Sequence, residues 1–301
     1  MLNRLVDSYL ELRRATGFQM GVQQYLLHHF ASFAAQRQEA HVRARTAIEW
    51  AAQAPSEGQR ANRLGTVRVF ARFARAEDAR HEIPPERVFS PPRVNYTPFI
   101  FSPSQLHELL VRASKLAASD SLHPWTYCTL FSLLAVTGLR ISEALNLRLH
   151  DITEDGLVIR ETKFQKSRLV PLDPTTMVGL KRYLDRRGTV QDDHVFVSLR
   201  GRGMRPSGVV TVFLRIVRAM GIHPGPGQPG PRVHDLRHGF AVRVLESCSG
   251  DRTVVDANML ALMTYMGHSQ IDSTYWYLHA TPHVLGQISD LSETLCKGDR
   301  S

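Results

Sequence analysis

Four short stretches hold residue types that could act together on a phosphate. They are Thr137-Gly138-Leu139-Arg140-Ile141-Ser142-Glu143, a segment around Lys163, His234-Asp235-Leu236-Arg237-His238, and Gly267-His268 with Tyr277 nine residues further on. Arginine grips two non-bridging phosphate oxygens through its planar fork, and lysine and histidine add further donors and protons. The one obvious kind of nucleophile beside them is a tyrosine hydroxyl. With an unperturbed pKa of about 10, that hydroxyl needs an adjacent base or a strongly positive field to attack at neutral pH. On a helix, His234 and Arg237 are three residues apart and share a face, as do Arg140 and Glu143. The first pair can contact one phosphate together. The second lets Glu143 orient a cation, most simply an arginine of the site, or else forms an ordinary surface ion pair.

The elements that must carry these residues are mostly helices. Residues 1–88 read as an all-helical unit, with Leu5, Tyr9 and Leu12, then Tyr25, Leu26 and Phe30, at helical spacing. Its last helix, about 60–76, turns Leu64, Val67 and Phe70 to a core and sets Arg68, Arg72 and Arg75 on another face. That stripe suits a nucleic-acid backbone, or is simply a solvated surface. Prolines at 84, 85, 91, 92 and 98 interrupt regular helix, and 89–101 is expected to be a linker. A second domain, 102–301, opens with Ser102 as N-cap, Pro103 at the first helical position and Gln105 completing a capping box. It continues with helices over about 125–136 and around Ile141, Ala144 and Leu145. A hairpin over 157–163 and 167–172 holds Lys163, and a helix from Asp173-Pro174 buries Met177, Leu180 and Leu184. His194–Val197 is expected as a strand and Gly221–Pro231 as a loop. After Tyr277, Val284, Leu285, Ile288, Leu291 and Leu295 outline an amphipathic tail. The fold class expected is mainly α with a small β-sheet.

Composition narrows the partner. The chain has 301 residues, 43% hydrophobic and 22% charged, enough to bury two cores at roughly 100–200 residues per domain. Its 37 Lys+Arg against 28 Asp+Glu give a net charge of +9, which favours a polyanion such as nucleic acid or an acidic membrane surface. The longest apolar stretch, around Leu130 to Leu139, falls far short of the roughly 18 residues that cross a bilayer. Charges in Met1–Asp7 stand where a secretory signal needs its apolar run, so a cytoplasmic protein without a membrane partner is expected. Cys128, Cys248 and Cys296 are widely spaced and odd in number, and are read as reduced.

In the order and spacing of Thr137–Glu143, of Lys163 before Arg168-Leu169-Val170-Pro171-Leu172, of His234–His238, and of Met266-Gly267-His268 with Tyr277, the chain resembles the tyrosine recombinases, or phage-type integrases. The resemblance covers about 100–290. It implies a helical core-binding domain at 1–88 and a catalytic domain at 102–301. Tyr277 would attack the scissile phosphate of DNA, giving a 3′-phosphotyrosyl enzyme and a free 5′-hydroxyl, with no metal or other cofactor needed. Arg140 and Arg237 would hold the phosphate, Lys163 would protonate the leaving oxygen, His234 would act as base and His268 would hydrogen-bond the phosphate.

The resemblance also implies a monomer in solution that becomes a homo-tetramer on synapsed double-stranded DNA sites, with the tail docked in a neighbouring protomer or packed on its own domain. Sister recombinases or accessory factors, service to a mobile element and a nucleoid-associated location belong to the same expectation. Two rivals stand inside the site. Tyr275 points about 200° from Tyr277 on a helix, and only one of them can face the phosphate; the family's spacing selects Tyr277. Lys166 competes with Lys163. His238, four after His234, could share a metal with it, but the Glu of a His-Glu-x-x-His motif is absent and a structural or DNA-contact role is simpler. The alternatives for the whole chain are a silent DNA-binding regulator on this fold and a type IB topoisomerase, a group that tends to carry Lys where this chain has His234.

Overall fold

Apolar residues recur every three or four positions through the first 80 residues, and four helices follow: α1 (Leu2–Ala15), α2 (Gly21–Gln36), α3 (Ala44–Ala52) and α4 (Glu57–Glu77). The computed structural model describes residues 2–90, 97–116, 121–160, 167–224, 230–247 and 252–267, the side chains of 252–256 aside. The chain divides into two compact units, Met1–Asn95 and Tyr96–Ser301.

In the first unit Val6, Leu27, Phe30, Trp50, Val67 and Phe70 are fully buried together. Burying each such side chain contributes about 1.5–3 kcal/mol. Trp50 satisfies its indole N–H by donating to His29 Nδ1 at 2.7 Å. Ser56 caps α4 by accepting from the Gln59 N–H. The inward faces of α1 and α2 differ from expectation in two positions, because Leu12 and Tyr25 are 52% and 66% exposed. The buried stripes run instead through Leu2, Val6, Tyr9 and Leu10, and through Leu26, Leu27, Phe30 and Ala31. At about 100° per residue, Leu12 lies some 200° from Leu10 and Tyr25 some 200° from Leu27.

The second unit begins with α5 (Pro103–Ala113), held by the expected capping box: Ser102 Oγ accepts from the Gln105 N–H, and Gln105 Oε1 accepts from the Ser102 N–H. Then come α6 (Leu122–Thr137), apolar nearly all round, and α7 (Ile141–Asn146). A three-stranded antiparallel sheet of order β1-β2-β3 follows, from Ile152–Thr153, Gly156–Ile159 and Arg168–Val170. In its register Leu157 faces Val170 and Ile159 faces Arg168. The chain continues through α8 (Pro174–Arg187), α9 (Pro206–Ala219), α10 (His234–Glu246) and α11 (Arg252–Met266). One face of the sheet and α5 to α9 close around Phe131, Leu145, Val170, Tyr183, Phe196 and Phe213. Helices α10 and α11 pack through Val242, Leu245, Leu262 and Met266. No helix among the described residues is long and apolar enough to cross a membrane.

The architecture is mainly helical with one small sheet, as the sequence leads one to expect. One local expectation gives way, and one helix comes without an expectation. His194–Val197 forms isolated bridges, Arg148 with His194 and Val197 with Gly203, in place of a strand. Side chains there supply partners that a neighbouring strand would: Asp192 accepts from the His194 and Gly203 N–H groups, and Arg187 donates to the His194 carbonyl. Helix α9 is not among the expected elements, although Pro206 at its first position and Val209, Phe213, Ile216 and Val217 at helical spacing announce it.

Candidate active site

The sharp reversal between α6 and α7 begins the site. Gly138 ends α6 in the left-handed region at φ 61°, where a Cβ would lie 2.5 Å from the Phe240 ring. The chain then turns extended through Arg140, the N-cap of α7, whose N–H donates to Glu143 Oε2 at 2.9 Å while its guanidinium donates to Oε1 at 2.7 Å. Ion pair and cap are therefore one structure, and the carboxylate fixes both ends of the arginine. Glu143 takes two more bonds from Arg168 of β3, at 3.2 Å to Oε1 and 2.8 Å to Oε2. With four donors, the lone pairs of this nearly buried carboxylate are filled.

The second arginine comes from the first turn of α10. Asp235 accepts from the Arg232 N–H, which secures the start of that helix. One turn on, Arg237 is 1% exposed and donates to the Gly138 carbonyl at 2.5 Å and the Met266 carbonyl at 2.7 Å. Arg140 in turn donates to the Gly267 carbonyl at 3.1 Å. Two arginines 97 positions apart thus converge on the last carbonyls of α11, immediately before His268.

Two guanidinium groups, Arg140 and Arg168, share the Glu143 carboxylate, and Arg237 bonds the Met266 carbonyl beside the Gly267 carbonyl that Arg140 takes, so the site is positive. Burial raises the Glu143 pKa, but the hydrogen bonds from Arg168 and Arg140 and the Arg168 charge outweigh it and hold Glu143 below its ordinary value, ionised at neutral pH. His234 moves the same way. Crowding by surrounding protein, then the charges of Arg237, Arg232 and Arg140, hold its pKa low, at about 4. His234 is exposed as a residue all the same, so water screens part of that charge. It is neutral at pH 7, with a lone pair able to accept a proton.

The structure therefore brings together Arg140, Glu143, His234 and Arg237. Lys163, its rival Lys166, His268, Tyr275, Tyr277 and the amphipathic tail lie outside the described residues. Arg68, Arg72 and Arg75 stand on α4 of the other unit. Arg68 and Arg72 both pair with Glu86, and Arg75 is exposed. His238 stacks edge-to-face on His234, their ring centres 4.7 Å apart.

Among the described residues, groups of three metal-type donors occur at His41, Asp78 and His81 and at Asp192, Asp193 and His194. In the first, His81 Nδ1 already accepts the Val42 N–H and Asp78 is held by the Arg80 guanidinium. In the second, Asp192 accepts from the His194 and Gly203 backbone. Both groups are occupied by structural bonds. The residue that sequence reasoning passed over is Arg168. Its signal was strand alternation, since it shares the inner face of β3 with buried Val170 while Leu169 points out, and an inward cation requires an anion.

Comparison with known proteins places the chain among integrases and recombinases. The profile of the phage integrase family matches residues 101–283. The chain is 36% identical over 295 residues to y4rB of Sinorhizobium fredii, a protein named as an integrase/recombinase, covering 93% of each chain. It is 30% identical over 236 residues to the tyrosine recombinase XerD of Caulobacter vibrioides, covering 76% of this chain and 72% of that one. Among solved structures, a lambda integrase tetramer bound to a Holliday junction shares the fold at a TM-score of 0.61 and 16% identity, covering 92% of this chain and 76% of the other.

Proposed function

The chain belongs to the phage integrase family and is a site-specific tyrosine recombinase, and from that premise we propose that it cleaves and rejoins double-stranded DNA through a 3′-phosphotyrosyl link to Tyr277. The observation that carries the reading is the convergence of Arg140 and Arg237 on the Gly267 and Met266 carbonyls, just before His268 and ten and eleven residues before Tyr277 in the chain, with a neutral His234 beside their charges. A phosphate there meets the charged forks of Arg140 and Arg237. Arg140 and Arg237 stabilise the charge that develops on its non-bridging oxygens, an effect for which loss of one donor costs on the order of 100- to 1,000-fold. His234 accepts the Tyr277 proton, and the phosphate's negative charge offsets the arginines and raises the ring's pKa as DNA binds. Lys163 protonates the departing 5′-oxygen, and His268 hydrogen-bonds the phosphate. Glu143 holds Arg140 in place.

In the return step a 5′-hydroxyl from a second duplex attacks the phosphotyrosine, so the bond energy is kept and new strands are joined. The domain roles follow. Residues 1–88, with Arg68, Arg72 and Arg75, clamp the DNA backbone, 89–101 link, and 102–301 hold the chemistry and the C-terminal tail. The active assembly is a tetramer on two duplexes formed from monomers, a reading supported by the lambda integrase tetramer. It acts in the cytoplasm on nucleoid DNA, on behalf of a mobile element and with accessory factors or a sister recombinase where the site requires them.

The test uses two labelled duplexes drawn from the DNA flanking the gene, one carrying a nick that traps cleaved product. Wild-type protein is expected to give an SDS-resistant protein–DNA band and then a joined product containing strands of both duplexes. Resealing of the same strand alone would indicate topoisomerase behaviour. Tight binding without any covalent band would favour a silent regulator.

A further inference from the structure

We propose that Arg168 is a positioning residue for strand cleavage: by sharing the Glu143 carboxylate with Arg140, it lets Glu143 aim the Arg140 guanidinium without cancelling its charge. The inference rests on the reading of Arg140 as a phosphate-gripping arginine. A carboxylate bonded to one arginine makes a neutral pair, a poor receptor for an anion. Here Arg168 meets Glu143 end-on through both terminal nitrogens, while Arg140 takes the same oxygens through its side chain and backbone N–H. The cluster keeps one net positive charge, and Glu143 has no unfilled lone pair through which to let either arginine swing.

Two details show that Arg168 is built into this place. Its Nε is buried and has no hydrogen-bond partner among the described residues, a cost that the paired ends must offset. Its guanidinium also lies close against Gly267, where a Cβ would stand 3.3 Å from Arg168 Nη1 and 3.9 Å from Arg140 Nη1, at a backbone φ of +65°. A Cβ at 267 would crowd the Arg168 guanidinium and stand in ordinary contact with that of Arg140. One carboxylate thus ties β3 to α7, and the Arg140 bond to the Gly267 carbonyl adds the end of α11. β3 follows Lys163 by five residues in the chain, so Arg168 also fixes the strand leading out of the segment that holds the proposed general acid.

The experiment compares wild type, Arg168→Met, Arg168→Lys, Glu143→Gln and the Arg168→Met/Glu143→Gln double variant. It measures the first-order rate of covalent adduct formation on saturating nicked substrate, the Kd for the same DNA and the thermal midpoint. Arg168→Met is expected to slow adduct formation about tenfold or more, less than the cost of losing a donor that touches the phosphate, with Kd within about threefold. Arg168→Lys keeps the charge but not the fork and recovers part of the rate. In the Glu143→Gln background, Arg168→Met should cost no more than about twofold, because the two residues act as one unit. Should Arg168→Met fail to fold, Arg168→Lys is read in its place, with a rate below wild type at an unchanged thermal midpoint. A wild-type rate in the Arg168 variants, or losses that multiply independently in the double variant, would overturn the proposal alone. Absence of any adduct from wild type would overturn the recombinase mechanism first, and this inference with it.

Discussion

At Glu143 one negative charge serves two guanidinium groups, and the site's chemistry turns on which of its cations remain available to an anion. Arg140 and Arg237 are fixed by backbone carbonyls far apart in the unit's sequence, Gly138 for Arg237 and Gly267 for Arg140. Replacing either arginine by Ala is expected to lower adduct formation by about 100- to 1,000-fold, measured at saturating DNA so that weaker binding does not enter. His234 offers a second test, in stability. Its folded pKa of about 4 lies below the ordinary histidine value of 6.5, so the unfolded chain binds more protons between those values. The neutral ring's contribution is therefore complete above about pH 6.5 and is lost as the pH falls towards 4. Thermal midpoints of wild type and His234→Asn between pH 7 and pH 5 should converge as the wild type loses more; parallel curves would place the ring in an ordinary aqueous environment.

At the scale of elements, the reversal from α6 to α7 aims the site. Gly138 sits at φ 61° with the Phe240 ring filling the space of a Cβ, and its carbonyl holds Arg237. Gly138→Ala is expected to cost at least about 1–2 kcal/mol from the left-handed backbone alone, seen as a lower urea midpoint, and to reduce cleavage by displacing Arg237. Elements with a local code are legible in the sequence. The Ser102–Gln105 capping box and the sharing of a face by Arg140 and Glu143 needed only residue types at fixed spacing. Elements settled by long-range partners were not. His194–Val197 has strand-like residues, yet it makes only isolated backbone bridges, and the N–H and carbonyl of His194 go to the side chains of Asp192 and Arg187, which no period reveals. The same holds for Leu12 and Tyr25, apolar residues at plausible spacing that face solvent because neighbouring positions fill the core. Arg168 was legible only as an inward position on a three-residue strand; its partner Glu143 lies 25 residues away.

For the molecule as a whole, the net charge of +9 belongs to a protein that grips a polyanion, and the two units divide the task proposed for them. Binding should weaken steeply with salt, each neutralised phosphate contributing about −0.9 to the slope of log K against log salt. Changing Arg68, Arg72 and Arg75 to Ala should flatten that slope by about 1 to 3, towards the low end because Glu86 already pairs with two of them. An unchanged slope would return the stripe to an ordinary solvated face. The central claim is that one tyrosine, at 277, forms the bond to DNA. The most direct measurement traps the adduct of wild-type protein on a nicked site, digests protein and DNA, and locates the nucleotide-bearing peptide by mass spectrometry, with Tyr277→Phe run beside it. A 3′-phosphonucleotide on Tyr277 and no adduct from Tyr277→Phe are expected. A modified Tyr275, or an adduct that survives Tyr277→Phe, would contradict it.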